Sequence, residues 1–102
     1  MDSEFEWLQH WYKSQCDGDW EHEYGISIET VDNPGWYLTI NLSETKYAEC
    51  TFQSIQVEKD ELNWYFCLTR NNNFEASCGP CNLGEVIVVF RNWIESIRIK
   101  SS

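Results

Sequence analysis

The amino-terminal segment carries apolar residues with the period of an α-helix. These positions lie three or four residues apart, at Phe5, Leu8, Trp11 and Tyr12. Ser3 and Glu6 form a capping box, in which side chains satisfy free backbone N–H groups at a helix start. Because the Asp17-Gly18-Asp19 sequence interrupts the period, we predict a helix over residues 4–15.

From Trp20 the period changes to two, which is typical of a β-strand. The apolar parity holds Trp20, His22, Tyr24, Ile26 and Ile28, and the intervening positions hold Glu21, Glu23 and Glu29. We predict a strand with an apolar face, where His22 is half-buried, and an acidic face. The Asn33-Pro34-Gly35-Trp36 sequence fits a type II turn, since Pro fixes φ and Gly supplies a positive φ. It leads to a return strand through Trp36, Leu38, Ile40 and Leu42.

Three more strands and a second helix follow. The apolar parity changes between Phe52 and Ile55, which predicts a bulged strand over residues 50–57. Alternation predicts a fourth and a fifth strand, through Leu62, Trp64, Phe66 and Leu68 and through Phe74, Ala76 and Cys78. Asn82 and Glu85 form a second capping box before the apolar stripe of a helix over residues 83–97.

The order of these elements defines a fold class. Short connections favour an antiparallel meander, and two amphipathic helices can cover its apolar face. We therefore predict a two-layer α+β fold of order α-β-β-β-β-β-α, with residues 1–102 as a single domain. The pattern favours core positions for three tryptophans and leaves the other three undecided: Trp11, Trp64 and Trp93, against Trp7, Trp20 and Trp36.

The composition is that of one small, folded, acidic protein. Its 102 residues include 17 Asp or Glu and 7 Lys or Arg, a net charge of −10, and 42% are hydrophobic. This apolar content excludes an acidic disordered tail, and the few cations argue against binding to nucleic acid or an anionic membrane. There is no apolar run near the roughly 20 residues of a membrane-spanning helix. The acidic MDSEFEW start is unlike a signal peptide, so we expect a cytoplasmic protein.

The negative charge is concentrated near the amino terminus. Residues 1–35 hold nine acids and one base, a balance of −8, whereas residues 36–102 have a balance of −2. Such a field steers cationic partners, although an acidic surface also serves solubility alone. We predict a partner-binding surface that combines carboxylates with exposable aromatic residues: Asp17, Asp19, Trp20, Glu21, Glu23, Asp32, Asn33 and Trp36.

The Cys78-Gly79-Pro80-Cys81 sequence is the sharpest local motif. The same spacing forms the redox site of thioredoxin-like proteins, where a helix N-terminus lowers a thiol pKa. Here the motif lies late in the chain, no proline follows it, and the predicted sheet is antiparallel. These features favour a turn into the last helix, and redox chemistry at Cys78 and Cys81 is the alternative.

Patterns for metal binding and catalysis are weak. One CxxC pair without a second is a poor zinc signal, even with the other cysteines and with His10 and His22 available. The acids of residues 17–21 lack the glycine and the closing glutamate of an EF-hand loop. Neither histidine lies near a plausible nucleophile in the sequence. We therefore predict no catalytic residue, no metal ion and no cofactor.

Several segments together carry a family resemblance. They are Trp7-Leu8, Trp11-Tyr12, Gln15 through His22 with Tyr24-Gly25, residues 32–36, Phe74-Glu75, Gly79-Pro80, Asn82-Leu83, Phe90 and Trp93. Over nearly its whole length the chain resembles the immunity protein 53 family of bacterial polymorphic toxin systems. It departs from that family at Cys78 and Cys81, which the family does not require.

The resemblance implies a small cytoplasmic protein that binds and neutralises a toxin encoded beside it. The partner it implies is a toxin domain, often a cationic nuclease, and the composition argues against direct contact with nucleic acid or a membrane. It implies no catalytic residues. Two other functions stay open: a thiol-disulfide oxidoreductase using Cys78 and Cys81, and a general acidic protein-binding module.

Overall fold

The computed structural model describes residues 3–32 and 34–100, which form one five-stranded sheet with the two long helices on one face. The elements are α1 (Glu4–Gln15), α2 (Trp20–Glu23), β1 (Ile26–Val31), β2 (Gly35–Asn41), β3 (Ile55–Glu58), β4 (Trp64–Arg70), β5 (Asn73–Cys78) and α3 (Leu83–Lys100). The predicted α+β class and its order of elements are confirmed, with the one-turn helix α2 as an addition.

The strands do not follow each other across the sheet. Their order is β1-β2-β5-β4-β3, and every neighbouring pair is antiparallel. The predicted meander is therefore wrong, because β5 lies between β2 and β4. Residues 42–54 carry the chain from β2 to the far edge, so β1 and β3 are the two edge strands.

Both long helices begin where the capping residues predict. The Ser3 Oγ accepts a hydrogen bond from the backbone N–H of Glu6 at 3.1 Å, which starts α1. At α3 the arrangement differs from a simple capping box, because Asn82 Nδ2 donates to Glu85 Oε1 at 2.6 Å. The Asn82 Oδ1 instead accepts the backbone N–H of Trp64 at 3.3 Å. Asn82 thereby ties the start of α3 to the start of β4.

An aromatic cluster fills the space between the long helices and the sheet. The Phe90 ring of α3 lies with its centroid 4.9 Å from that of Trp11 and 5.0 Å from that of Phe74. Trp93 is partly buried against this cluster, and its Nε1 donates to the Thr51 carbonyl at 3.0 Å. Most of the aliphatic part of the core comes from β2 and α3, at Leu38, Ile40, Val86, Ile87 and Ile94.

The strand predicted from Trp20 starts six residues later than expected. Residues Trp20–Glu23 form α2, and β1 begins only at Ile26. Side chains of Asp17 and Glu21 bind backbone N–H groups of this turn, and such local bonds favour a helical turn over an extended chain. His22 is exposed on α2, so its predicted half-buried position is wrong.

The β1–β2 hairpin is not the predicted type II turn. Gly35 is already the first residue of β2, pairs with Val31, and has a φ outside the positive range. A Cβ at Gly35 would collide with the carbonyl oxygen of Cys78. Glycine is therefore needed for the close approach of β2 and β5 rather than for turn geometry. Asn33 lies outside the described residues.

The third and fourth strands are shorter or differently oriented than predicted. The predicted strand over residues 50–57 is reduced to β3, and Phe52 packs from the preceding loop against Phe74. In β4 the fully buried residue is Cys67, whereas Phe66 is 38% exposed on the opposite face. Trp64 shares the parity of Phe66 and lies outside the core cluster, so its predicted core position is wrong.

Candidate protein-binding surface

Two of the predicted surface carboxylates are used inside the loop that joins α1 to α2. The Asp17 Oδ1 accepts the backbone N–H groups of Asp19 and Trp20, both at 3.0 Å. The Glu21 carboxylate accepts those of Asp17 and Gly18, both at 2.9 Å. Backbone donors stabilise the charged form, so the pKa values of Asp17 and Glu21 are both lowered. These two acids hold the loop in shape.

The other two acids of this segment face the solvent. Asp19 is the residue before α2, and its side chain makes no capping hydrogen bond. Asp19 and Glu23 are both exposed. Their charges are therefore available to a partner, whereas those of Asp17 and Glu21 are partly engaged by the backbone.

The predicted surface aromatics are less exposed than expected. Trp20 is only 2% exposed and packs against Trp11 with ring centroids 6.0 Å apart. It is a core residue, so the prediction that its ring is available to a partner is wrong. Trp36 is half-buried, and its Nε1 donates to the Pro80 carbonyl at 3.0 Å. Trp36 therefore anchors the hairpin to the loop before α3.

The predicted surface is divided between the two ends of β1. Asp19 and Glu23 precede this strand, whereas the exposed Asp32 follows it at the hairpin tip. Six residues of extended chain span about 20 Å, so these groups do not form one compact patch. We call the segment of residues 17–32, which comprises the α1–α2 loop, α2, β1 and Asp32, the acidic margin.

The carboxylates of the acidic margin follow one another along the chain without an intervening Lys or Arg. The chain contains no Lys or Arg between Lys13 and Lys46. The four central residues of β1 are exposed and include Glu29, so the strand itself adds a carboxylate between the two ends. The surface carboxylates of the margin are thus joined by β1, a strand at the edge of the sheet.

A buried carboxylate that was not predicted lies on the open face of the sheet, which is the face opposite the two long helices. Glu75 of β5 is 7% exposed and accepts a hydrogen bond from Tyr37 Oη at 2.6 Å. The Arg70 guanidinium binds the same carboxylate, with Nε at 3.1 Å from Oε1 and a terminal nitrogen at 2.9 Å. The hydrogen bonds from Arg70 lower the pKa of Glu75, and the hydrogen bond to Glu75 raises that of Tyr37.

This cluster cross-links three strands. Tyr37, Glu75 and Arg70 come from β2, β5 and β4 respectively. The sequence offers a signal for Arg70 and Glu75, which flank a tight asparagine turn, but none for Tyr37, because β2 pairs with β5 across more than thirty residues. The cluster stabilises the open face of the sheet and gives it a fixed charge arrangement.

The first cysteine of the Cys78–Cys81 motif lacks the properties of a redox thiol. Cys78 is fully buried in β5, and burial raises its pKa to about 11. Burial also raises the pKa of Cys67 to about 12. Reactive thiols need a lowered pKa and access to solvent, and of the motif only Cys81 is exposed. Both motif cysteines are free thiols.

Two further features of the described residues concern metal ligands and membrane-spanning helices. Among its residues, no three or more His, Cys, Asp or Glu side chains lie together as a metal site would require. His10 and His22 are both exposed, on α1 and α2. Within the same residues, no helix is both long and apolar enough to cross a membrane.

Comparison with known proteins identifies a family. The model of the family described as immunity protein 53 matches residues 5–95. No curated protein and no solved structure matches the chain. The matched range includes the whole acidic margin and the Tyr37, Arg70 and Glu75 cluster.

Proposed function

Because the chain belongs to the immunity protein 53 family, we propose that it binds a cognate toxin of a bacterial polymorphic toxin system and neutralises it by stoichiometric occlusion. The match over residues 5–95 carries this proposal, since it covers most of the chain. In this proposal the protein acts by binding and not as an enzyme. The buried, high-pKa Cys78 favours it over thiol-disulfide exchange.

We further propose that the acidic margin contacts the toxin. Its support is electrostatic: the segment between Lys13 and Lys46 has no cation, and Asp19, Glu23 and Asp32 expose their side chains. A surface of one sign raises the rate of encounter with a partner of the opposite sign and disfavours other partners. The proposed partner is therefore a cationic toxin domain, of which a nuclease is an example.

The scaffold suits rapid capture without large rearrangement. The α1–α2 loop is held by four backbone hydrogen bonds to Asp17 and Glu21, and Trp20 anchors α2 in the core. Asp19 and Glu23 are thus presented by a fixed backbone. A preorganised surface loses less conformational entropy on binding, which favours affinity.

The test compares charge removal at the margin with equal removal elsewhere. Its probe is the toxin domain encoded by the open reading frame adjacent to this gene. The margin variant is Asp19→Asn, Glu23→Gln, Asp32→Asn, and the matched control is Glu49→Gln, Glu58→Gln, Glu61→Gln, three exposed acids outside the margin. Both sets change the net charge from −10 to −7.

We expect the margin variant to associate at least about threefold more slowly at low salt, with the difference shrinking as salt screens the charges. The control should associate nearly as fast as the unmodified chain. Equal slowing of both variants would mean that net charge alone matters, and an unchanged margin variant would place the interface elsewhere. If the unmodified chain neither binds nor protects cells from that domain, the immunity function itself is wrong.

A further inference from the structure

The hydrogen bonds between the edge strand β1 and β2 show which backbone groups of β1 point toward β2 and which point away from the sheet. The Asn41 N–H donates to the Gly25 carbonyl at 2.9 Å, and Ile26 pairs with Ile40. In an antiparallel pair, hydrogen-bonded and non-hydrogen-bonded residues alternate. Because Gly25 is a hydrogen-bonded residue, the residues at two-residue intervals after it are hydrogen-bonded as well. Residues 27, 29 and 31 therefore direct their N–H and C=O groups to β2.

The alternate residues of β1 direct the same groups away from the sheet. These residues are Ile26, Ile28 and Thr30, and β1 has a neighbour on one side only. Ile28 also leaves its side chain 41% exposed. A row of outward N–H and C=O groups beside an exposed apolar side chain is a template for another strand.

The two edges of the sheet differ in their protection. The β3 edge has four residues and is followed at once by the charged Lys59, Asp60 and Glu61. The β1 edge has six residues, of which only Glu29 is charged, and it is rich in β-branched residues. Short length and charged residues are among the devices that block strand addition, so β1, which is longer and has one charged residue in six, is the less protected edge.

Charge around β1 selects the kind of strand that it can accept. Glu23 precedes the strand, Glu29 lies within it and Asp32 follows it, and all three are exposed. A second copy of this chain would bring the same carboxylates together, which is unfavourable. An extended segment carrying Lys or Arg would pair with them along its length.

We propose that β1 accepts an extended cationic segment of the toxin as a sixth strand of the sheet. The inference rests on the proposed function and adds to it the mode of binding. It also accounts for the division of the predicted surface, because a strand lying along β1 reaches both ends of the acidic margin. Main-chain hydrogen bonds supply affinity in this mode, and the carboxylates supply selectivity.

The test removes one outward N–H group from each edge. Thr30→Pro deletes an outward N–H of β1 without removing a bond to β2. Gln56→Pro is the matched control on β3, where the Lys59 to Asn63 hydrogen bond sets the same phase. Proline is tolerated at such edge positions. Thr30→Val keeps the N–H and controls for the side chain.

With the adjacent-gene toxin domain as probe, we expect Thr30→Pro to weaken binding at least about tenfold, while Gln56→Pro and Thr30→Val bind within about twofold of the unmodified chain. Thermal melting of each variant separates a binding defect from unfolding. Equal binding by a folded Thr30→Pro variant would overturn the inference and leave the immunity function intact. Loss of binding in all three variants would also overturn it.

Hydrogen exchange on the unmodified complex gives a test that needs no variant. Pairing predicts that the amides of Ile26, Ile28 and Thr30 become protected when the toxin domain binds. A complex in which these amides exchange as fast as in the free chain would overturn the inference. If the free chain dimerises and the same amides are protected in the dimer, β1 pairs with a second copy of this chain instead of the toxin, and the inference is wrong. Absence of any complex would refute the proposed function and this inference with it.

Discussion

The aromatic core and the acidic margin differ in whether their interacting groups have partners within the chain. In the core, Phe74, Phe90 and Trp93 pack against one another, and the Trp93 indole donates to Thr51. In the margin, outward backbone groups of β1 and the carboxylates of Asp19 and Glu23 face solvent. The core groups thus find their partners within the chain, whereas the groups of the margin remain free to contact a partner, as the proposed function requires.

The boundary between the two regions runs through a single loop. Asp17 and Glu21 contribute charge to the margin, yet their oxygens accept hydrogen bonds from backbone N–H groups and thereby hold the loop in shape. Trp20 belongs to the margin by sequence, yet it is 2% exposed in the core. Position in the sequence therefore does not separate scaffold from surface, whereas the contacts of each side chain do.

The largest expected effect tests the core side of this comparison with two tryptophans. Trp93→Ala should lower the free energy of unfolding by about 3 kcal/mol, because it removes a ring packed on Phe52 and Phe74. Trp64→Ala, outside the core cluster, should lower it by at most about 1 kcal/mol. Urea melts of both variants provide the measurement. Equal losses would contradict the assignment of Trp64 to the open face.

The next effect concerns the two thiols of the cysteine motif. Cys78→Ser places a hydroxyl in a fully buried site and should cost about 1–3 kcal/mol of stability. Cys81→Ser changes an exposed residue and should cost less than about 0.5 kcal/mol. Cys78→Ala controls for the hydroxyl. Reduction of insulin disulfides by the unmodified chain, lost in Cys81→Ser, would contradict a purely structural motif.

The regular elements were predictable where local patterns agreed with tertiary packing. The start of α1 follows from Ser3 and Glu6, and the core parity of β5 follows from Phe74, Ala76 and Cys78. Alternation failed at Trp20, because hydrogen bonds from Asp17 and Glu21 stabilise a helical turn there. In β4 alternation found the strand but not its face, since both parities carry large apolar residues.

The candidate surface was predictable in charge but not in shape. Composition identifies the acidic segment, because charge is additive along the sequence. The burial of Trp20 depends on where β1 begins, which the alternation misplaced. The Tyr37 to Glu75 hydrogen bond and the central position of β5 depend on non-local pairing, for which sequence periodicity carries no signal.

A smaller effect is expected from acid. The pKa of Glu75 is lowered by Arg70, so its carboxylate stabilises the fold above the ordinary Glu pKa, and this contribution is lost as the pH falls through the folded-state pKa. Glu75→Gln should be less stable at pH 7 and lose less stability than the unmodified chain between about pH 5 and pH 3. Thermal melts at several pH values test this. Asp17, Glu21 and Asp60, whose pKa values are also lowered, account for the acid loss that persists. Identical acid profiles would show that Glu75 contributes nothing.

The smallest expected effect distinguishes two acids of the margin, and the variants Asp17→Ala and Asp19→Ala test it. Each variant removes one negative charge, but Asp17 also loses two hydrogen bonds to backbone N–H groups, whereas Asp19 makes no side-chain cap. Because capping residues stabilise helix starts, we expect Asp17→Ala to lower the Tm by about 3–8 °C and Asp19→Ala to leave it within about 1 °C. Well below both Tm values, Asp19→Ala should slow toxin association more, because its charge faces solvent. The opposite ranking in both measurements would mean that Asp17 belongs to recognition and Asp19 to the scaffold.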